Sequence, residues 1–270
     1  MNLLHAVSIP SPLGTVLQPI VDTSGTKAEI FAIECLTRGP RGSRLEEATP
    51  LFEYVRRRGL ECEMDRTCVT GALRTAAAQP YRISINVHPR TLGNRQDFVA
   101  FLLRLCEGLR IDPARLIVEI GEQAPATDVA AFTEALCRLR QAGVSIAVDD
   151  VGFGHSNHKA ILDCAPQFLK IDRYFVDGAA TDPGRLAVVR SILDLATFFG
   201  ARVIAEGVER NEDCAVLSDL GITLFQGFLF SRPVGASRDR RQHPIVDRVL
   251  KRHKSGQQPL IEFAIDRADA

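Results

Sequence analysis

A surplus of one charge is the first thing this sequence lacks. Its 33 Lys and Arg are matched by 33 Asp and Glu, giving a net charge of zero. No global field therefore exists to hold duplex nucleic acid or an anionic membrane surface, and any anionic partner must be met locally. No stretch approaches the roughly 18 uninterrupted apolar residues of a membrane span, and the opening MNLLHAVSIPSP has no basic segment followed by an apolar run. A cytoplasmic address is the expectation. The seven cysteines (Cys35, Cys62, Cys68, Cys106, Cys137, Cys164, Cys214) form no CxxC pair and no Cys/His cluster with zinc spacing, so they read as reduced thiols, mostly small core hydrophobes. His155 and His158, the one close histidine pair, read as loop polarity rather than a metal site. A GxGxxG turn and a Walker A loop are also missing, which removes the main support for dinucleotide-redox and P-loop readings.

What is present is a core-forming composition, 46% hydrophobic and 24% charged over 270 residues, which excludes disorder and allows one large domain. From about residue 80 one pattern recurs: an amphipathic helix, a Gly or Pro, a short apolar run, then a polar residue. Residues 97 to 109 have helical spacing, and Pro113 separates them from the strand-like run 116 to 120. Thr127 or Asp128 can cap a helix with Val129, Phe132, Leu136 and Leu139 on its apolar face, with Gly143 placed to end it before strand 145 to 149. The same pattern predicts helix 185 to 199 ended by Gly200, strand 202 to 206, helix 211 to 220 and strand 222 to 226. Strands 82 to 86 and 168 to 171, with 16 to 21 and 29 to 36 before helices near 47 to 58 and 63 to 78, bring the expected total to eight. Near-continuous apolar strands alternating with helices mean an α/β fold with a covered, mostly parallel sheet, and eight such units fit a closed (β/α)8 barrel.

The strands stop on chemistry. Glu34, Asn86, Glu119, Asp149 with Asp150, Lys170, Glu206 and Gln226 each end a strand or lie one residue from its end. In a parallel barrel those ends open on one mouth. Five carboxylates brought close together cannot all stay ionised without cations. An all-oxygen donor set without Cys selects Mg²⁺ or Mn²⁺ over zinc. Adjacent Asp149 and Asp150 suit two ions, the arrangement that clamps both oxygens in phosphodiester hydrolysis. Lys170 in such a mouth suits an anionic oxygen or a water; a Schiff-base lysine is its competing role.

Eight ordered motifs carry a family resemblance over about residues 16 to 233. Leu17-Gln18-Pro19-Ile20-Val21-Asp22 resembles YQPIVD, Glu34-Cys35-Leu36-Thr37-Arg38 resembles EALLR, and Ser84-Ile85-Asn86-Val87 resembles the start of SVNLS. Glu119-Ile120-Gly121-Glu122 resembles ELTE, and Asp149-Asp150-Val151-Gly152-Phe153-Gly154 resembles DDFGTG. Leu169-Lys170-Ile171-Asp172-Arg173 with Phe175-Val176 resembles LKIDRSFV, Ala205-Glu206-Gly207-Val208-Glu209 resembles AEGVE, and residues 226 to 233 resemble QGYLFGRP. The sequence is thus similar to the EAL-domain cyclic di-GMP phosphodiesterases.

The resemblance implies a TIM-like barrel whose first strand runs antiparallel to the rest, spanning residues 1–236, with 237–270 as a basic C-terminal extension. It implies hydrolysis of cyclic di-GMP to linear pGpG with Mg²⁺ or Mn²⁺, two ions per site. Glu34, Asn86, Glu119 and Asp149 would hold the first ion and Asp149 with Asp150 the second. Glu206 would act as general base or as ligand of the attacking water, which Lys170 would position. Arg38 would meet a phosphate, and Gln18, Leu36, Asp172, Glu209, Gln226 and Pro233 would line the substrate pockets. Glu122 would steady the loop after strand five, where Val151, Phe153 and His155 replace the family's Phe, Thr and Tyr. A homodimer is implied too. The extension, with seven bases between Arg238 and Lys254, reads as a solvated tail helix or as a docking element for a regulatory partner. Two further readings stay open: a catalytically weak module acting as cyclic di-GMP receptor or protein partner, and a barrel lyase using Lys170.

Overall fold

A computed structural model describes residues 13–94, 97–121, 128–152 and 157–235. Glu122, Phe153, His155 and the whole extension 237–270 lie outside the described residues, as does the His155 half of the histidine pair.

Strands β1 (Gly14–Asp22) and β2 (Glu29–Arg38) form an antiparallel hairpin; helices α1 (Ala48–Arg56) and α2 (Glu61–Ala76) follow. Next come β3 (Arg82–Asn86), the short α3 (Pro89–Leu92), α4 (Phe98–Leu109), β4 (Leu116–Gly121), α5 (Val129–Gln141) and β5 (Ser145–Val151). The chain continues through α6 (Asn157–Cys164), β6 (Phe168–Ile171), α7 (Arg173–Val176), α8 (Pro183–Phe199), β7 (Arg202–Ala205), α9 (Asn211–Asp219), β8 (Leu224–Phe225) and β9 (Val234–Gly235). Strands β2 to β8 pair in parallel in chain order. β1 closes the ring by pairing antiparallel with both β2 and β8, and β9 adds an antiparallel edge to β1. The eight-strand barrel and its antiparallel first strand are thus as the sequence predicts.

The local signals explain most boundaries. Asp128 caps α5 by accepting from Ala131 N, Thr127 lying outside the described residues, and Gly143 and Gly200 both take positive φ at the helix ends. Asp182 accepts from Gly184 and Arg185 N ahead of Pro183 at the start of α8. Some boundaries differ from the sequence reading. β2 runs on to Arg38 because its antiparallel partner β1 extends to Gly14, so Glu34 sits inside the strand rather than near its end. β7 stops at Ala205, and β8 is only Leu224–Phe225.

Side chains inside the ring are stacked in layers. Ile20, Ala32, Ile117, Ala147, Phe168, Ile204 and Leu224 form a buried cluster of their own, separate from the larger core between strands and helices. Phe31 closes its lower end, edge-on to Phe168 with ring centroids 5.5 Å apart. Because side chains alternate along a strand, the next inward positions are two residues on: Glu34, Glu119, Asp149, Lys170, Glu206 and Gln226, with Gln18 on the reversed β1. The polar site is therefore the layer resting directly on an apolar plug. Phe168→Ala is expected to open a cavity in that plug and lower stability by about 3–5 kcal/mol, measured by denaturant unfolding.

Candidate functional site

At the centre of the mouth is Lys170, only 1% exposed. Its Nζ lies 2.7 Å from Glu119 Oε2, 2.7 Å from Glu206 Oε1, 3.1 Å from Asp149 Oδ1 and 3.6 Å from Glu34 Oε2. Around this ammonium the amides of Asn86 and Gln226 donate to Glu34 at 3.0 and 2.8 Å. Ser84 Oγ donates to Glu119 Oε1 at 2.5 Å. Seven residues from seven strands or strand ends thus meet in one hydrogen-bonded group, as the sequence reading expects. Ser84 is an addition to it: a polar residue on the inward face of β3, one alternation before Asn86.

Asp149 and Asp150 reach the mouth together through a backbone irregularity. In a regular strand adjacent side chains face opposite ways. Here β5 puts two residues, Asp149 and Asp150, between Val148 and Val151 where β6 puts one, Lys170, between Leu169 and Ile171, and Asp150 takes φ 55°. This bulge turns both carboxylates to the same side. Ligand atoms of Asp149, Asp150 and Glu206 all lie within 4.8 Å of one another.

The protonation tendencies follow from burial and crowding. Burial and the neighbouring Glu34 push Glu119 well above the ordinary carboxylate range, with Lys170 pulling against them. Glu206 is likewise pushed well up by burial, opposed by Lys170 and reinforced by Asp149. Burial acts on Glu34 too, but Lys170, Gln226 and Asn86 hold it below its ordinary value. Asp150 rises to about 6 through burial and the adjacent Asp149. Burial works to discharge Lys170, yet Asp149, Glu119, Glu206 and Glu34 together hold it well above the usual lysine value. An ammonium with four carboxylates within 3.6 Å is a poor amine nucleophile, which weighs against the Schiff-base role.

Five carboxylates against one ammonium leave an anionic cage of oxygen donors. Such a set fits hard divalent cations: the amides of Asn86 and Gln226 now occupy oxygens of Glu34 that a cation would use, and the Asp150 carboxylate stands beside those of Asp149 and Glu206.

A cleft of about 400 Å³ opens beside the mouth, lined by Leu36, Arg38, Phe52, Met64, Asp65 and His88 among others, and it reaches Glu34, Asn86, Asp149 and Asp150. Arg38 donates to Thr37 O at 3.0 Å and lies 4.0 Å from the exposed Glu47, so its guanidinium is only loosely held. On the other side, buried Gln18 donates to Ser231 O, and half-buried Pro233 precedes β9. Asp172 caps α7 through Tyr174 N, and Glu209 pairs with Arg173 at 3.0 Å. These two stand apart from the cluster around Lys170. Gly207 and Gly227, which follow Glu206 and Gln226, are required by crowding: a Cβ would stand 2.4 Å from Arg173 Cγ and 2.0 Å from Val208 O.

Asp65 is a site residue that the sequence reading misses, although an acid beside Met64, Cys68 and Val69 on the core face of α2 is its signature. Only 6% exposed, it accepts from His88 N at 2.8 Å and Thr91 Oγ1 at 2.5 Å. Burial still pushes it from its ordinary 3.8 to about 7. A carboxyl raised on folding contributes stability at low pH that is lost as pH climbs through its folded value. Wild-type protein should lose thermal stability between about pH 4 and 7, and Asp65→Asn, which keeps the acceptor, should flatten that part of the profile. Lys170→Met should cost about 3–5 kcal/mol at neutral pH without divalent cations. That loss should shrink as pH is lowered, since Glu119 and Glu206 are raised and take up protons more readily than ordinary carboxylates, and on adding Mn²⁺; calorimetric unfolding scans check both.

Comparison with known proteins gives the same picture. The EAL domain family matches residues 11–233. The cyclic di-GMP phosphodiesterase RocR of Pseudomonas aeruginosa is 35% identical over 156 residues, covering 58% of this chain and 40% of RocR. The chain thus spans less than half the length of that curated relative. Among solved structures, the EAL enzyme Bd1971 with cAMP and cyclic di-GMP bound superposes with a TM-score of 0.77 at 29% identity, over 88% of this chain and 66% of that one. Klebsiella pneumoniae BlrP1 in complex with calcium and cyclic di-GMP gives 0.73 at 29%, over 84% and 57%. With its barrel, its motifs and a family match over most of its length, the chain belongs to the EAL domain family.

Proposed function

We propose that this chain is a divalent-metal-dependent phosphodiesterase hydrolysing one phosphodiester of cyclic di-GMP to linear pGpG. One observation carries the reading: every oxygen donor the chemistry needs, Glu34, Asn86, Glu119, Asp149, Asp150 and Glu206, stands in one mouth around Lys170. A module that only binds the dinucleotide has no need of all of them. The names of RocR and of the Bd1971 and BlrP1 complexes support the substrate.

Glu34, Asn86, Glu119 and Asp149 would hold one Mg²⁺ or Mn²⁺, and Asp149 with Asp150 a second. When bound, the ions supply positive charge that acidifies water and offsets charge developing on phosphate. The protein's own groups do the rest. The Glu206 carboxylate takes the proton of the attacking water. Lys170 fixes Glu206, Glu119 and Asp149 in one geometry and places its own charge beside the reacting phosphate. The loosely held Arg38 turns its planar fork to the second phosphate. Leu36 and Phe52 give one base an apolar wall, while Gln18, Gln226 and Pro233, with Asp172 and Glu209 further out, serve the rest of the ligand.

The unit of function is residues 1–236 as one domain, acting in the cytoplasm as a homodimer, with 237–270 available to a regulatory partner. Among the described residues no helix is long and apolar enough to cross a membrane.

Purified protein incubated with cyclic di-GMP and Mg²⁺ or Mn²⁺ should yield pGpG by chromatography. Glu34→Ala and Glu206→Gln should cut turnover by about a hundredfold or more, and Asp150→Asn sharply, each with the fold intact by circular dichroism. Tight binding without product under either metal would assign the chain as a receptor instead, and unchanged turnover in Asp150→Asn would remove the second ion from the mechanism.

A further inference from the structure

The cleft beside the mouth holds a histidine that the motif resemblance does not supply. His88 comes two residues after Asn86 and stands where SVNLS ends in Ser. Its backbone N–H donates to Asp65 Oδ2, and its Nδ1 accepts from Arg90 N at 3.2 Å, capping α3. A ring nitrogen that accepts carries no proton, so the neutral imidazole bears its hydrogen on Nε2. Among the described residues that N–H has no partner, and the half-buried ring lines the cleft together with Leu36, Arg38, Phe52 and Met64. Serine at this position would make the cap and reach no further.

We propose that His88, besides capping α3, is a further ligand-contacting residue, donating its Nε2–H to the acceptor edge of a purine base seated in the cleft. This rests on the cyclic di-GMP reading of the mouth. The lining distinguishes base from phosphate. Glu61 and Asp65 line the same cleft as His88, and Arg38 and Arg56 line it too, so these charges balance and it is the apolar part of the wall that selects a base. Leu36, Phe52, Val55 and Met64 offer the apolar wall that an aromatic ring fills, leaving a few fixed polar groups to set its orientation. The ring is also preorganised. Asp65 holds the backbone of His88 and Arg90 holds its Nδ1, so binding forfeits little rotamer freedom.

Capping and ligand contact separate by mutation. His88→Asn keeps a side-chain acceptor suited to a helix cap and removes the distal donor; His88→Ala removes both. Cyclic di-GMP affinity is read by calorimetry with Ca²⁺, KM and kcat with Mn²⁺, and stability by thermal unfolding. His88→Asn should bind about three- to tenfold more weakly, with the change on KM rather than kcat and the melting temperature unmoved. His88→Ala should add a drop in melting temperature. Wild-type affinity in His88→Asn overturns the assignment, as does a loss of affinity in it that is matched by a loss of stability, the mark of a cap and nothing more. Wild-type protein that takes up no cyclic di-GMP fails the underlying reading instead, so binding by the wild type tells the two failures apart.

Discussion

The buried ammonium of Lys170 is the interaction on which the rest of the mouth depends. Removing a charge from water costs several kcal/mol, and a lysine at 1% exposure survives only because four carboxylates lie within 3.6 Å of its Nζ. The carboxylates depend on it in turn: Lys170 opposes the burial that pushes Glu119 and Glu206 upward. One cation cannot satisfy five acids, however. The excess shows in Glu119, Glu206 and Asp150, all pushed above the ordinary carboxylate range, Asp150 to about 6 by burial and by Asp149. The charge that Lys170 leaves uncompensated is the physical demand a divalent cation would meet.

That arrangement is rigid because of what lies above and below it. Beneath is the apolar layer from Ile20 to Leu224, filled by Phe168 and closed by Phe31, which fixes the height at which the next inward side chains emerge. Outside, the larger core packs the opposite face of the same strands, with Val148, Leu169 and Ala205 alternating with the functional residues. Among the strands that carry the acids, β5 departs from this alternation at the mouth itself. Its bulge places a non-glycine residue at positive φ, a conformation that aspartate tolerates better than most, and puts two adjacent carboxylates on one side. The irregular step thus lies where the chemistry needs two acids and not one.

The sequence reveals the barrel readily because each unit is closed by local physics: Gly143 and Gly200 at helix ends, aspartates at helix starts, apolar runs of strand length. Polar residues recurring at the end of those runs reveal the mouth. The extension of β2 past Leu36 to Arg38 is not legible there, since it comes from pairing with β1 far more than from propensity, and antiparallel hairpins lengthen each other. Nor is the bulge at Asp150, which two consecutive aspartates suggest but do not require. Ser84 and Asp65 do carry a signal. The serine shares the inward face of β3 with Asn86, the aspartate lies among Met64, Cys68 and Val69 on the core face of α2, and a polar group so placed is buried only with partners: Glu119 for the serine, His88 N and Thr91 for the aspartate.

Charge neutrality takes on a different meaning in this fold. Five mouth carboxylates against one lysine leave the remainder of a neutral chain with four more bases than acids. The imbalance is created by folding, over a few ångströms, while the molecule as a whole projects no field. At physiological ionic strength such a site is screened within about 8 Å, so it draws in no polyanion from a distance and repels none. An anionic ligand must be recognised after arrival, by groups in contact with it. That favours a small, shaped dianion over a long one, and it makes the cleft wall of Leu36, Phe52 and His88 as consequential for selection as the acids are for reaction.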